Sequence, residues 1–155
     1  YTWLKVANTE LVVIYGRWYG LPYAVTYFYN VYGPRERATE EYGTVIETFR
    51  RNREAGEPLQ VREPGSRERA FTHVEDTVNG LVLVGDKGEG DNFGIGTDKI
   101  YTLLEVAHMF GGEVTMLPPT KTTRSSAEVD AAKVSALGWS PLWDLKDYIA
   151  SVTNT

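Results

Sequence analysis

The sequence predicts an α/β protein, because helical and strand-like hydrophobic patterns alternate along its 155 residues. Residues 2–19 place apolar side chains three and four positions apart, which is typical of an amphipathic helix. Residues 23–29 follow as an apolar run, which favours a strand buried on both faces of a parallel sheet. Residues 30–34, Asn-Val-Tyr-Gly-Pro, form a turn sequence that ends this strand.

The first predicted helix carries one apolar stripe, interrupted only by Glu10, and Gly20 is a plausible stop after it. The stripe consists of Trp3, Val6, Ala7, Leu11, Ile14 and Trp18. A helix followed at once by a buried strand is half of a βαβ unit. The first part of the chain therefore predicts a piece of a parallel, doubly wound sheet.

Further helices and short strands alternate after this unit, giving about six helices in all. We predict helices at about 42–54, 73–85, 102–110, 130–137 and 144–152, and short strands at 59–61, 69–72, 91–95 and 114–117. Thr102 and Glu105 have the spacing of a capping box, while Thr72 and Asp144 are candidate N-caps. Residues 85–90 and the polar segment 118–126 are predicted as loops.

The composition is that of one globular domain, with 42% hydrophobic and 24% charged residues. The net charge of −5 argues against a nucleic acid or an anionic membrane as partner. The absence of cysteine excludes disulfides, a thiol nucleophile and cysteine-ligated zinc. The only histidines, His73 and His108, lie far apart, so no metal site is predicted.

Targeting signals are not evident in these residues. No apolar run approaches the roughly 18 residues of a membrane span, and no signal peptide opens the sequence, so a cytoplasmic location is expected. The first residue is Tyr rather than Met. We therefore expect the sequence to be a piece of a longer protein.

Tyr1 and Lys5 are spaced so that a helix would place both side chains on one face, one turn from each other. An ammonium group beside a phenol favours the phenolate. Such a tyrosine can exchange a proton next to a carbon that gains or loses a hydride, so the pair is a candidate acid–base couple. The alternative is a chance pair on a helix surface, at a chain end that is prone to fray.

Four blocks follow one another in a specific order: YTWLK at 1–5, YFYNVYGP at 27–34, RAFTHVEDTVNGL at 69–81 and LGWSP at 137–141. Together they resemble the C-terminal half of an extended short-chain dehydrogenase/reductase, and more narrowly the NAD-dependent nucleotide-sugar epimerases and dehydratases, such as UDP-glucose 4-epimerase. The resemblance covers essentially the whole chain. It implies a Rossmann-type fold with one or two of its parallel strands present, joined to a small mixed α/β substrate-binding lobe.

The resemblance also implies a division of the chain and a set of cofactor contacts. Residues 1–34 would be a remnant of the dinucleotide-binding sheet with the catalytic helix, and residues 35–155 mainly the substrate-binding lobe. Tyr1 would be the acid–base at the sugar hydroxyl, and Lys5 would hold the nicotinamide ribose of NAD. Phe28 and Tyr29 lie where the family's chain passes the nicotinamide, although plain strand packing is the better explanation of their side chains.

The substrate contacts implied by the resemblance involve a nucleotide sugar, most simply a UDP-sugar. Asn30 matches an Asn that hydrogen-bonds the diphosphate, and its alternative role is that of a turn former. Arg69 matches an Arg that pairs with the diphosphate through its planar fork of donors. Gln60 and Arg62 lie on the strand that runs beside the base in the family. Arg67 would share a strand face with Arg69.

The chain departs from the family pattern in two places. Many relatives carry Arg-Pro-Gly-Asp near the C-terminus, where this sequence has Pro-Pro-Thr-Lys-Thr-Thr-Arg, so Lys121 or Arg124 would have to supply the second cation at the diphosphate. The Gly-rich turn that holds NAD is also missing, since the glycines at 88–96 precede no phosphate-binding helix start. These residues alone are therefore expected to hold NAD poorly and not to catalyse.

Two functions remain open on these observations. The first is the substrate-binding half of an NAD-dependent nucleotide-sugar epimerase or dehydratase in carbohydrate metabolism. The second is a non-catalytic relative that binds a nucleotide sugar or a protein partner. Because relatives often dimerise through the helix that bears the Tyr, and because Trp3, Leu11 and Trp18 would form an apolar patch, a homo-oligomer is expected.

Overall fold

The computed structural model describes residues 1–37, 43–119 and 128–153, which contain six helices and eight short strands. The helices are α1 (Thr2–Tyr19), α2 (Val45–Ala55), α3 (Val74–Lys87), α4 (Leu103–Phe110), α5 (Ala132–Ala136) and α6 (Leu145–Thr153). The strands are β1 (Ala24–Phe28), β2 (Val31–Tyr32), β3 (Leu59–Arg62), β4 (Glu68–Ala70), β5 (Thr72–His73), β6 (Gly90–Ile95), β7 (Ile100–Thr102) and β8 (Val114–Leu117).

The strands form four pairs, three of them parallel. β1 runs parallel to β6, β2 to β5 and β3 to β8, whereas β4 is antiparallel to β7. Parallel neighbours need long crossover connections, which the intervening helices supply. The predicted α/β class with parallel strands is confirmed.

The main core lies where α2, α4 and α6 meet the strands β2 and β3. Its largest fully buried side chains include Tyr32, Ile46, Phe49, Leu59, Val61, Phe110 and Ile149. A smaller cluster joins α3, α5 and β6 through Val84, Phe93, Ile95, Val134 and Trp139. The apolar side chains of these helices and strands therefore pack against one another in two clusters.

α1 packs against the segment that leads into β1 through a close approach at Gly16, its one buried residue. A Cβ on Gly16 would lie 2.4 Å from the ring of Tyr23, so a larger residue would push the helix away from the strand. Gly20 then ends the helix in the left-handed conformation that favours glycine, with φ of 62°. The predicted helix at 2–19 is confirmed, and its apolar stripe remains exposed.

Asp76 fixes the C-terminal segment to the start of α3. Its buried carboxylate accepts hydrogen bonds from the N–H groups of Leu142 (2.9 Å) and Trp143 (3.0 Å). The Asp76 carbonyl accepts a third bond from the indole N–H of Trp139. The third and fourth sequence blocks therefore meet in space at Asp76.

Several predicted boundaries are wrong in ways that have a local cause. The loop predicted at 85–90 is helical as far as Lys87, and the helix ends at Gly88, whose N–H donates to the carbonyl of Val84. The N-cap of α3 is His73 rather than Thr72, since the His73 ring accepts the N–H of Glu75. The helix predicted at 130–137 covers only Ala132–Ala136.

Pairing between distant segments also forms strands where the sequence predicted a turn or one continuous strand. β2 lies inside the predicted turn at 30–34, and the strand predicted at 69–72 is divided between β4 and β5. β7 was not predicted, because three residues show no periodicity. β1 is only partly buried, with Tyr27 and Phe28 exposed, so the prediction of burial on both faces is wrong.

Candidate functional site

A cleft of about 300 Å³ brings together two of the residues predicted to contact the substrate, Asn30 and Arg69. Residues from four parts of the chain line it: Asn30, Val31, Gly43, Thr44, Val45, Ile46, Arg69, Phe71 and Leu103. Its floor is apolar, and its polar groups are an amide, a hydroxyl and a guanidinium. A largely apolar cleft with few polar groups is the usual form of a small-molecule site.

Asn30 reaches the cleft because of an unusual backbone conformation between β1 and β2. Its φ is 38°, which asparagine tolerates better than most residues. The side-chain amide Nδ2 donates to the carbonyl of Ala70 (2.8 Å), and the Asn30 carbonyl accepts the N–H of Thr72 (3.3 Å). These two bonds attach the end of β1 to the β4–β5 segment and hold Asn30 next to Arg69.

Arg69 occupies the central position of β4, opposite Tyr101 of β7. The side chain is half-buried, and its Nη1 donates to the carbonyl of Glu68 at 2.8 Å. A guanidinium presents five donors in a planar fork, so further donors face other directions. Arg69 is thus placed on the cleft wall with the chemistry that a phosphate requires.

The N-terminus of α2 adds a second positive feature to the same wall. Thr44 is the N-cap, and its side chain makes no capping hydrogen bond. The first N–H groups of a helix carry partial positive charge and bind anions readily. Sequence reasoning missed this contribution, although Gly43-Thr44 directly before a helical pattern was an available signal.

The predicted catalytic pair is brought together on α1. The Lys5 ammonium lies 5.5 Å from the centre of the Tyr1 ring, and the Lys5 N–H donates to the Tyr1 carbonyl at 3.1 Å. Tyr1 is 86% exposed. No described residue of α1 lines the cleft that holds Asn30 and Arg69. The pair and the cleft are therefore two separate parts of the candidate site.

The two aromatic residues at the end of β1 lie in different surroundings. Phe28 is 50% exposed and is free to contact a ligand. Tyr29 packs against Gly96, where a Cβ would lie 2.6 Å from the ring, and its hydroxyl accepts the N–H of Asp130 at 3.5 Å. Packing therefore explains Tyr29, while the prediction of a nicotinamide contact is better supported for Phe28.

The remaining predicted contacts lie away from the cleft or outside the described residues. Gln60 and Arg62 occupy the exposed face of β3, and Arg62 donates to the carbonyl of Pro118 at 3.3 Å. Neither residue lines the cleft as the described part of the chain forms it. Lys121 and Arg124 lie outside the described residues.

A larger cavity of about 510 Å³ lies elsewhere, between α2, α6 and the start of α3. His73 lines it, stacked on Trp143 at 4.1 Å between ring centres, and burial lowers the pKa of His73 below its ordinary value despite the nearby Glu75 and Asp76. None of the sequence-predicted site residues lines this cavity. We therefore place the candidate site at the smaller cleft.

The described residues support neither a metal site nor a membrane-spanning helix. They contain no group of three or more His, Asp or Glu side chains placed to hold a metal ion. No helix among them is long and apolar enough to cross a membrane.

The parallel strand pairs and the flanking helices define a Rossmann-type α/β fold. In overall structure the chain is similar to UDP-glucose 4-epimerase of Thermotoga maritima, whose structure contains UDP-glucose, with a TM-score of 0.87, 27% identity, and coverage of 97% of this chain and 50% of that one. It is also similar to dTDP-glucose 4,6-dehydratase of Streptomyces venezuelae, determined with NAD, with a TM-score of 0.84, 25% identity, and coverage of 97% and 48%.

Residues 1–96 match the NAD dependent epimerase/dehydratase family, and the chain belongs to this family. UDP-glucuronic acid decarboxylase 3 of Arabidopsis thaliana is 29% identical over 150 residues, which cover 92% of this chain and 43% of that protein. The chain therefore spans about half the length of the relatives it matches.

NAD is the cofactor that the family name implies, and the described residues fit one end of it. Tyr1 and Lys5 lie side by side on an accessible face, and Phe28 is exposed at the end of β1. These residues suit the nicotinamide ribose. The pyrophosphate requires a Gly-rich turn between a strand and a helix, and these 155 residues contain no such motif.

Proposed function

We propose that these residues form the substrate-binding half of an NAD-dependent nucleotide-sugar epimerase or dehydratase. The observation that carries the proposal is the cleft that joins Asn30 and Arg69, because the two residues lie far apart in sequence and were assigned to one ligand. In this proposal the cleft binds the diphosphate of a UDP-sugar or a related nucleotide sugar.

The binding step follows from the groups in the cleft. Arg69 pairs with phosphate oxygens, the α2 N-terminus adds positive potential, and Asn30 contributes its amide at the end of β1. None of these groups touches the reacting carbon. Their contribution is to position the sugar, since binding energy from remote groups can be used to orient the reacting centre.

The chemical step is assigned to α1. A bound NAD would supply the hydride acceptor and donor for the sugar carbon. Tyr1 exchanges the proton of the sugar hydroxyl through its phenol oxygen, and Lys5 would hold the nicotinamide ribose. The close approach of the Lys5 ammonium to the Tyr1 ring supports this pairing.

Calorimetric titration with UDP-glucose, UDP-N-acetylglucosamine, dTDP-glucose, GDP-mannose and NAD tests the proposal. We expect saturable binding of one nucleotide sugar, and loss of that binding in Arg69→Ala. Arg17→Ala is the matched control, because it removes the same charge from an exposed position outside the cleft. Equal binding by Arg69→Ala and wild type would contradict the assignment of the cleft.

A second function, a non-catalytic module that binds a nucleotide sugar or a protein, is favoured by the exposed face of α1. Trp3 and Trp18 are 75% and 73% exposed, which suits a protein contact. The two functions differ in redox chemistry. The test supplies the Gly-rich NAD-binding half of a relative as a second chain, because these residues alone are expected to hold NAD poorly. Reduction of NAD by a bound nucleotide sugar in that mixture, lost in Tyr1→Phe, would favour the enzyme, whereas binding without any reduction there would favour the module.

A further inference from the structure

The larger cavity, of about 510 Å³, shares three segments of the chain with the candidate substrate cleft. Residues 30–36 begin at the cleft and end at the cavity, and so do residues 69–75. On α2, Ile46 lines the cleft and the next residue, Glu47, lines the cavity. Because packed segments carry energetic coupling between sites, a molecule bound in the cavity can influence binding in the cleft.

The walls of this cavity carry an excess of negative charge. The charged side chains that line it are Glu36, Glu47, Glu54, Glu75, Arg35 and Arg50. Four carboxylates face two guanidiniums, so the walls stay negative at neutral pH even with one carboxyl protonated. His73 adds no positive charge there, because burial lowers its pKa.

The guanidinium of Arg50 is already committed to its own helix. Its Nε and Nη2 donate to the two carboxylate oxygens of Glu47 at 2.7 and 2.8 Å, and its Nη1 pairs with Glu54. The Glu75 carboxylate accepts the indole N–H of Trp143 at 2.9 Å and keeps its charge. An anionic ligand would therefore meet repulsion from the walls and one arginine that is held by carboxylates.

The inner end of the cavity contains polar groups whose hydrogen bonds are not made within the described residues. Neither carboxylate oxygen of Glu36 accepts a hydrogen bond of regular geometry. Burial raises the pKa of this carboxyl, although the Thr44 hydroxyl and the Gly33 N–H act to lower it. The two oxygens are shielded from water, so an ionised Glu36 acts on a cation in the cavity with less screening than a surface carboxylate does.

A second unmet group at this end belongs to His73, which is 2% exposed. Its Nδ1 accepts the N–H of Glu75 at 3.3 Å, so the neutral ring carries its proton on Nε2. No described group accepts a hydrogen bond from Nε2, which lies beside Gly33, where a Cβ would be 3.2 Å away. Buried polar groups are normally hydrogen-bonded, so a molecule from outside these residues is needed to complete this end.

We propose that this cavity is an effector site for a small organic ammonium ion, such as an amino alcohol, and that its occupation strengthens nucleotide-sugar binding in the cleft. The carboxylates attract the ammonium, and Trp143 and Tyr148 supply aromatic rings suited to a cation. A cation in the cavity also attracts a diphosphate in the neighbouring cleft, so each ligand favours the other. The coupling rests on the proposed function of the cleft, whereas the cation preference does not.

The absence of cysteine allows one chosen charge to be placed in the cavity. Ser151 is exposed and lines the cavity, so Ser151→Cys can be labelled with three methanethiosulfonates that share an ethyl linker and end in trimethylammonium, hydroxyl or sulfonate. Ser135→Cys is the matched control, because Ser135 is an exposed helix residue outside the cavity and the cleft. If Ser151→Cys lowers the melting temperature, Glu54→Cys places the thiol on the same lining.

Two measurements on these variants test the proposal. The ratio of the trimethylammonium to the sulfonate labelling rate should be about tenfold higher at position 151 than at position 135, because the negative walls concentrate cations. The trimethylammonium label at position 151 should then lower the calorimetric Kd for UDP about fivefold relative to the hydroxyethyl label. The same pair of labels at position 135 should give equal Kd values.

The possible failures are distinguishable. Equal rate ratios at the two positions would overturn the cation preference and with it the site. A raised rate ratio at position 151 with equal UDP affinity for the two labels would overturn the effector role. Absence of UDP binding by the unlabelled chain, folded by circular dichroism, would count against the proposed function and the coupling, while the labelling rates would still decide whether the cavity attracts a cation.

Discussion

Two amphipathic helices of this molecule, α1 and α4, meet very different surroundings. α4 has eight residues and buries Val106, Ala107 and Phe110 against α2, α6 and β3. α1 has eighteen residues and buries only Gly16. An apolar stripe therefore shows that a helix has a face to cover, but not which surface covers it.

The difference predicts opposite responses to the loss of large side chains. In the α4 region Phe110 is 2% exposed and packs edge-on against Phe49, with 6.1 Å between ring centres. Phe110→Ala should lower the free energy of unfolding by about 3–5 kcal/mol through lost burial and an unfilled cavity. Urea unfolding followed by circular dichroism measures this loss. A loss below about 1 kcal/mol would contradict the assignment of the core.

Loss of the Asp76 hydrogen bonds should lower the free energy of unfolding nearly as much as Phe110→Ala does. Asp76→Ala leaves the N–H groups of Leu142 and Trp143 without their acceptor, and we expect a loss of about 2–3 kcal/mol. Asp86→Ala is the control, because Asp86 is exposed further along the same helix. Equal unfolding midpoints for the two variants would show that the Asp76 carboxylate does not help to hold the 139–143 segment.

Loss of the capping box of α4 should lower the free energy of unfolding by a smaller amount. The Thr102 hydroxyl accepts the N–H of Glu105 (3.1 Å), and the Glu105 carboxylate accepts the N–H of Thr102 (2.7 Å). Thr102→Ala should cost about 1 kcal/mol. Thr102→Ser keeps the acceptor and should recover most of that stability in the same urea titration. Failure of Ser to recover more than Ala would contradict the capping role.

Acidification should weaken the fold through His73. Burial lowers the pKa of His73, so below the ordinary value of about 6.5 the unfolded chain binds more protons than the folded one. Stability present above that pH is therefore lost as pH falls towards 5. Asn caps helices well, and His73→Asn should reduce the fall in melting temperature between pH 7 and 5. His108→Asn, at an exposed position, should leave the fall unchanged.

On α1 the same kind of truncation should have little effect on folding. Trp18 is 73% exposed, so Trp18→Ser should change the unfolding free energy by less than about 0.5 kcal/mol. It should instead reduce self-association, which we expect from the exposed stripe. Sedimentation velocity of wild type and Trp18→Ser checks this. Identical association, or a strictly monomeric wild type, would count against an oligomer formed through α1.

The parts of the fold that the sequence predicted are those fixed by local chemistry. The capping box at Thr102, the glycine stop at Gly20 and the strand at 114–117 depend on a few neighbouring residues, and all three are confirmed. β2, β5 and β7 have two or three residues each, and they exist only because a distant partner pairs with them. No local pattern could reveal them.

The candidate site divides in the same way. Motif spacing was sufficient to select Asn30 and Arg69, and the cleft that joins them supports that choice. The contribution of Thr44 comes from a helix terminus. Gly43-Thr44 before a helical pattern indicates that terminus, but its position at the cleft wall depends on tertiary placement.

The pairing of the strands also bears on how the chain acquires its structure. Every pair joins distant positions: residue 24 meets 90, residue 31 meets 72, residue 59 meets 114 and residue 68 meets 102. The described residues form no hairpin that could close early. Chains dominated by such non-local contacts fold slowly, because long loops must close before a strand pair can form its stabilising contacts. During synthesis β1 must therefore wait for residues 90–95 before it can pair with β6.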